Sequence, residues 1–155
     1  MNNKLYTLGE EICNSITHGI GSLLSIAALV LMVVVAAMHH SPMGVVTSSI
    51  FGASLIILYT MSTLYHAISN EKAKKVLKVF DHSTIYILIA GSYTPFTLVA
   101  LRSINCAKAW TIFGIVWAIA ILGIVTYAIF KNRFKILNVV SYVVMGWVIV
   151  IALPE

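Results

Sequence analysis

The fold is decided by the uncharged run from Ile12 to Asn70, ICNSITHGIGSLLSIAALVLMVVVAAMHHSPMGVVTSSIFGASLIILYTMSTLYHAISN, which contains no Asp, Glu, Lys or Arg. The whole chain of 155 residues is 60% hydrophobic and 10% charged, with a mean hydropathy of +0.97. Soluble domains are about 25% charged. A soluble enzyme, a disordered chain, a disulfide scaffold and a nucleic-acid binder are therefore excluded, because the remaining polar residues could not cover this apolar surface. The composition predicts an integral membrane protein.

Apolar runs long enough to cross a bilayer occur five times. A spanning helix needs about 20 apolar residues, and backbone groups in lipid must form their hydrogen bonds within the helix. We therefore predict an all-α, polytopic transmembrane bundle that forms a single domain over residues 1–155. Its five spans cover about residues 17–38, 43–68, 83–101, 109–130 and 136–153.

The basic residues predict the orientation of the bundle. With the N-terminus in the cytoplasm, eight of the ten Lys and Arg residues lie on the cytoplasmic side, and only Arg102 and Lys108 lie outside. Positive residues are concentrated on the cytoplasmic side of membrane proteins. We therefore predict a cytoplasmic N-terminus in the plasma or inner membrane. The lysine-rich stretch from residue 71 to 80 forms either a short helix against acidic headgroups or a solvated basic loop.

Polar side chains collect at one predicted membrane level. Ser62 and His66 are four residues apart and share a helix face near the cytoplasmic end of the second span, and Asp81 precedes the third span. An imidazole can bind zinc, the metal activates a water, and a carboxylate can orient that water or take its proton. His18 and His82 are weaker candidates for the same site.

Each of these residues also has a purely structural interpretation. Asp81 could be the N-cap of the third helix, and Ser62 could bond back to its own helix. His66 could lie in the interface with one ring nitrogen in water. His39 and His40 are interpreted as solvated residues of the first hairpin.

Three segments together give the chain a familiar pattern: EEICNSITHGIG at 10–21, STLYH at 62–66 and FDHSTIYILIAGSYTPF at 80–96. With the apolar runs, they resemble the hemolysin III family, which is grouped with the adiponectin and progestin receptors (PAQR proteins) and with membrane hydrolases such as alkaline ceramidases. The resemblance implies a seven-helix protein with a cytoplasmic zinc site. His66 would be a zinc ligand, and Ser62 and Asp81 would be catalytic residues near the zinc-bound water.

The chain departs from that family at its C-terminal end. The family's two remaining zinc ligands come from an HxxxH pair on the seventh helix, and no HxxxH occurs in this sequence. We therefore expect the chain to lack the last two of seven helices and to hold no zinc tightly by itself.

Three functions remain open from the sequence. The resemblance implies a zinc-dependent hydrolase of a lipid amide or ester, acting within the bilayer and without a nucleic-acid partner. The alternatives are a pore or channel-like hemolysin and a non-catalytic membrane receptor or homeostasis protein, so the residues alone leave open whether the protein is an enzyme.

Overall fold

A computed structural model describes residues 6–130 and 135–152, with the side chains of residues 6–130 and 136–150. The described residues form five helices in sequence order. These are α1 (Leu8–Met38), α2 (Pro42–Ala67), α3 (Glu71–Pro95, continued by Phe96–Leu101 and Arg102–Ile104), α4 (Cys106–Phe130) and α5 (Lys135–Ala152). The all-helical bundle predicted from the sequence is confirmed.

Four of these helices, α1 to α4, are long and apolar enough to cross a membrane, and α5 contributes the shorter apolar run Ile136–Val150. Large apolar side chains remain exposed along α1, among them Leu23, Leu31 and Met38. Such a surface is unstable in water and suits contact with lipid. The predicted cytoplasmic N-terminus stays a prediction, and Lys4, Lys131 and Arg133, on which it partly depends, lie outside the described residues.

Polar caps define where the helices begin. Thr7 and Glu10 form a reciprocal capping box at the start of α1. Ser41 accepts a hydrogen bond from Gly44 N at 3.0 Å, and Pro42 occupies the first turn of α2. Between α1 and α2, His40 has a φ of 49°, a left-handed conformation that lets the chain reverse within three residues.

Helix α3 begins earlier than the predicted third span. Asn70 is its N-cap and accepts hydrogen bonds from the backbone N–H groups of Lys72 and Ala73 at 3.0 and 3.1 Å. The interpretation of Asp81 as an N-cap is therefore wrong, because Asp81 lies well inside the helix. The lysine-rich stretch is neither a separate interfacial helix nor a loop, but the first turns of α3.

The helix α3 is the centre of the bundle. Half of its most apolar stretch is buried, against 6% for α1. Its side chains Tyr86, Ala90 and Tyr93 join Ile112 and Val116 of α4 in the main apolar core. Directly after Pro95, which has no N–H to donate, the helix widens into a π-helical segment at Phe96–Leu101.

The contact between α2 and α3 depends on a missing side chain at Gly91. A Cβ built there would lie 2.8 Å from Ser54 Cβ and closer still to Ser54 Oγ. At Gly114 on α4, a built Cβ meets no atom within 4 Å. These two glycines therefore differ: of this pair, Gly91 allows two helices to approach closely and Gly114 does not.

We predict that Gly91→Ala lowers the free energy of unfolding by about 1–3 kcal/mol, because the added methyl group must push α2 away from α3. Gly114→Ala is the matched control and should leave stability unchanged or slightly raised. Thermal unfolding of the purified protein in detergent measures both variants. Equal stability of the two would contradict the proposed close contact.

Tyr93 ties α3 to α5 through its hydroxyl. The hydroxyl donates a hydrogen bond shared between the carbonyl oxygens of Met145 and Gly146, at 2.8 and 2.9 Å. It also accepts one from the backbone N–H of Ile149 at 2.8 Å. A buried hydroxyl with three partners on one neighbouring helix fixes the position of that helix along its own axis.

Removing this hydroxyl in Tyr93→Phe should destabilise the protein by about 1–3 kcal/mol, because buried backbone groups lose their partner. Tyr59→Phe is the control, since the Tyr59 hydroxyl makes no hydrogen bond with another described residue. Both are read by the same unfolding assay. A Tyr93→Phe protein as stable as Tyr59→Phe would show that the hydroxyl does not hold α5.

Candidate functional site

Three helix ends meet at the candidate site: the start of α1, the end of α2 and the start of α3. Helix α2 ends at Ala67, and Asn70 already caps α3. This short connection places the last turn of α2, with His66, beside the first turns of α3. The capping box at Thr7 starts α1 early enough for its polar first turns to reach the same level.

Glu11 links the three helices. One carboxylate oxygen of Glu11 lies 2.7 Å from His66 Nδ1, and the other lies 2.5 Å from Lys74 Nζ. The Glu11 side chain is 17% exposed and that of His66 is 7% exposed. A carboxylate next to an ammonium group is ionised and can only accept hydrogen bonds, so His66 Nδ1 must carry the proton that it donates.

Aromatic rings enclose the His66 ring. Its centroid lies 4.8 Å from the Tyr65 ring and 5.4 Å from the Tyr6 ring, both in edge-on geometry. The His18 ring stacks on it at 6.1 Å. These contacts, together with Glu11, hold the imidazole in one orientation.

A second polar group surrounds Asp81. Ser62, His66 and His82 all lie close enough to its carboxylate to interact with it. His82 Nδ1 is 3.4 Å from Asp81 Oδ2, and its ring stacks on Tyr127 with centroids 5.4 Å apart. The fold thus brings together Ser62, His66 and Asp81, the three residues singled out from the sequence. Their catalytic and metal-binding roles remain predictions.

A cavity of about 730 Å³ opens beside His66. It lies between the first turns of α1 and α3 and the end of α2. Its lining includes the apolar side chains Leu8, Ile12 and Ile16 on one side and lysines of α3 on the other. His66 and Glu11 line it, whereas Ser62 and Asp81 do not, so only the imidazole end of the site faces this space.

The described residues do not fit a complete zinc site. Among them, no group of three or more His, Cys, Asp and Glu side chains is placed to hold a metal ion. A catalytic zinc normally takes three protein ligands and a water. His18 Nδ1 and His82 Nδ1 are both buried without a hydrogen-bond partner among the described residues, and of these two rings that of His18 stacks on His66. With His66 it makes two imidazoles, which is still one ligand short.

Sequence reasoning missed Glu11 and Lys74 as site residues. Glu11 precedes the apolar run and reads as a solvated residue, and Lys74 is one of four similar lysines in its segment. One signal was available: Glu11 lies seven residues, or about two turns, before His18, so both occupy one face of α1. Which lysine reaches that face depends on how α3 is placed.

Comparison with known proteins gives consistent matches. The family model described as "Haemolysin-III related" matches residues 6–155. The chain is 47% identical over 148 residues to "Hemolysin-3 homolog" of Bacillus subtilis (strain 168), covering 96% of this chain and 68% of that protein. It is 44% identical to "Hemolysin-3" of Bacillus cereus, covering 93% of this chain and 64% of the relative.

A more distant relative is human "Monocyte to macrophage differentiation factor", 25% identical over 147 residues, with 91% of this chain and 59% of the relative covered. No solved structure matches the chain. The chain thus spans about two thirds of the length of its bacterial relatives.

We predict that Glu11→Gln lowers the free energy of unfolding by about 1–3 kcal/mol, because a hydrogen-bonded charge link between three helices is lost. The neighbouring Glu10→Gln is the matched control: Gln can still accept the hydrogen bond from Thr7 in the capping box. A double-mutant cycle with Lys74→Gln measures the coupling between Glu11 and Lys74. Zero coupling would refute the link.

Proposed function

The chain belongs to the haemolysin-III-related family, and we propose that this multi-pass membrane protein hydrolyses an amide or ester bond of a lipid. The reaction takes place where α1, α2 and α3 meet. The observation that supports the proposal is the hydrogen bond between Glu11 and His66, which fixes the tautomer of the neutral imidazole.

The hydrogen bond from His66 to Glu11 prepares the His66 imidazole for catalysis. Because Nδ1 donates to Glu11, the neutral ring presents Nε2 as its free base. Carboxylates orient histidines in this way in hydrolytic triads and also behind metal-bound histidines. In the proposed reaction, His66 Nε2 accepts a proton from the water that attacks the carbonyl carbon, and returns this proton to the leaving amine or alkoxide as the C–N or C–O bond breaks. Glu11 stabilises the imidazolium that forms.

Asp81 and Ser62 supply the other polar groups. The Asp81 carboxylate accepts a hydrogen bond from the attacking water and so orients it, while His66 takes up the proton. The Ser62 hydroxyl lies one helical turn before His66 and donates a hydrogen bond to the substrate oxygen. Lys74 keeps Glu11 ionised and positions it. Each role belongs to an atom near the three-helix junction.

A zinc ion at this site would need ligands in addition to the described residues. The chain spans 68% and 64% of the length of its two bacterial relatives. The family resemblance implies that two further histidines complete the site. The described residues do not form that set.

The bundle interior favours hydrolysis over a pore. The name "Hemolysin-3" of a relative suggests lysis of membranes. A pore needs polar groups that face a water-filled path. Here Thr47, Thr94 and Thr97 are buried, and each hydroxyl donates to a carbonyl of its own helix at 2.8 to 2.9 Å. These groups are satisfied without water.

The test uses the protein in lipid vesicles that contain a fluorescent N-acyl amide lipid or a fluorescent ester lipid, with an entrapped dye. Release of the fatty acid measures hydrolysis, and release of the dye measures a pore. His66→Gln and Asp81→Asn should each lower hydrolysis by about 100-fold or more, as expected for loss of an acid–base group.

His40→Asn is the matched control, because it changes a histidine at the far end of α1 and Asn tolerates the left-handed backbone. It should retain hydrolysis. A chelator arm shows whether metal is required. Dye release without fatty-acid release would overturn the proposal in favour of a pore. Absence of both dye release and fatty-acid release would overturn it in favour of a receptor.

A further inference from the structure

The cavity beside His66 has two different walls. Its α1 side is formed by Leu8, Ile12 and Ile16, which are apolar and more than half exposed. Its α3 side carries Lys74, Lys75 and Lys78. A site with an apolar wall opposite a cationic wall suits a ligand that has an anionic head and a hydrocarbon tail.

The lysines of this wall are not equivalent. Lys74 pairs with Glu11 and lies 5.3 Å above the Tyr65 ring. Lys75 and Lys78 make no ion pair with another described residue, and Lys78 is half-buried. Glu71 also lines the cavity, so the lining carries three lysines against two glutamates. An unpaired ammonium group on a half-buried side chain favours a bound anion.

The apolar wall continues out of the cavity. Ile12 and Ile16 are followed at helical spacing by Ile20 and then Leu24, which are 54% and 65% exposed. Residues four apart lie on one helix face. This row runs from the cavity into the predicted first span, so a chain leaving the cavity can continue along α1 into the hydrocarbon layer.

We propose that the cavity binds one anionic phospholipid, with its phosphate at Lys75 and Lys78 and an acyl chain along α1. The volume of about 730 Å³ lies within the range of small-molecule sites. A free phosphate would use the cationic wall but leave the apolar wall without a partner. The lipid therefore comes from the adjoining leaflet, and this site does not depend on the hydrolytic activity proposed above.

The test is native mass spectrometry of the full chain in a neutral detergent, titrated with dioctanoyl phosphatidylglycerol. We expect one saturable lipid per chain. Dioctanoyl phosphatidylcholine should bind at least about tenfold more weakly, because it lacks the net negative charge. Inorganic phosphate should not compete. Absence of saturable phosphatidylglycerol binding, equal binding of phosphatidylcholine, or full competition by phosphate would each overturn the proposal.

Matched variants separate the cavity from general attraction to a basic segment. The double variant Lys75→Gln/Lys78→Gln should weaken binding by about thirtyfold, since two lysines act on the headgroup. Lys72→Gln removes a lysine of the same segment that does not line the cavity. It should change affinity by less than about twofold. If each lysine of the segment had the same effect, binding would be non-specific and the proposal would fail.

A second pair of variants tests the acyl chain. Ile16→Ala removes part of the apolar wall and should weaken phosphatidylglycerol binding about threefold or more. Val34→Ala alters a similarly exposed apolar residue of α1 far from the cavity and should have no effect. Circular dichroism confirms that each variant is folded. Equal affinities of the two variants would place the lipid elsewhere.

Discussion

A backbone in lipid has no water to bond to, and this constraint shapes every part of the protein. Each apolar run must satisfy its own N–H and C=O groups, so it becomes a helix. Polar side chains then lie at helix ends, form hydrogen bonds within their own helix, or pair with a neighbouring helix, as Tyr93 does with α5. The buried hydroxyls of Thr47, Thr94 and Thr97 form hydrogen bonds within their own helix. The Glu11–His66–Lys74 group lies at helix ends.

The same constraint explains why the site is a junction between helices. A buried carboxylate is costly unless it is paired and hydrogen-bonded. Glu11 meets this requirement only because His66 from α2 and Lys74 from α3 approach it together. The group that holds three helix ends in place therefore also fixes which nitrogen of the neutral imidazole carries the proton. Stability and the proposed chemistry depend on one carboxylate.

Helix α3 connects the two halves of the bundle. Its first turns supply Lys74 and Asp81 to the site, and its later turns supply Tyr86 and Tyr93 to the core. Tyr86 donates to Asn138 at 3.2 Å and Tyr93 to the backbone of α5 at 2.8 Å. Gly91 lets α2 approach it closely. A shift of α3 would therefore change both the geometry of the site and the packing of α5.

The sequence by itself determined the all-helical membrane fold, because the uncharged run from Ile12 to Asn70 leaves no other way to satisfy its backbone. It also indicated that Ser62, His66 and Asp81 would lie near one another, since helical spacing and a short connection dictate this. Only the tertiary structure decided that Asn70 rather than Asp81 starts α3, and that Glu11 is the partner of His66. Those outcomes depend on how far helices extend beyond their apolar runs and on their rotation about their axes, which packing fixes and local sequence does not.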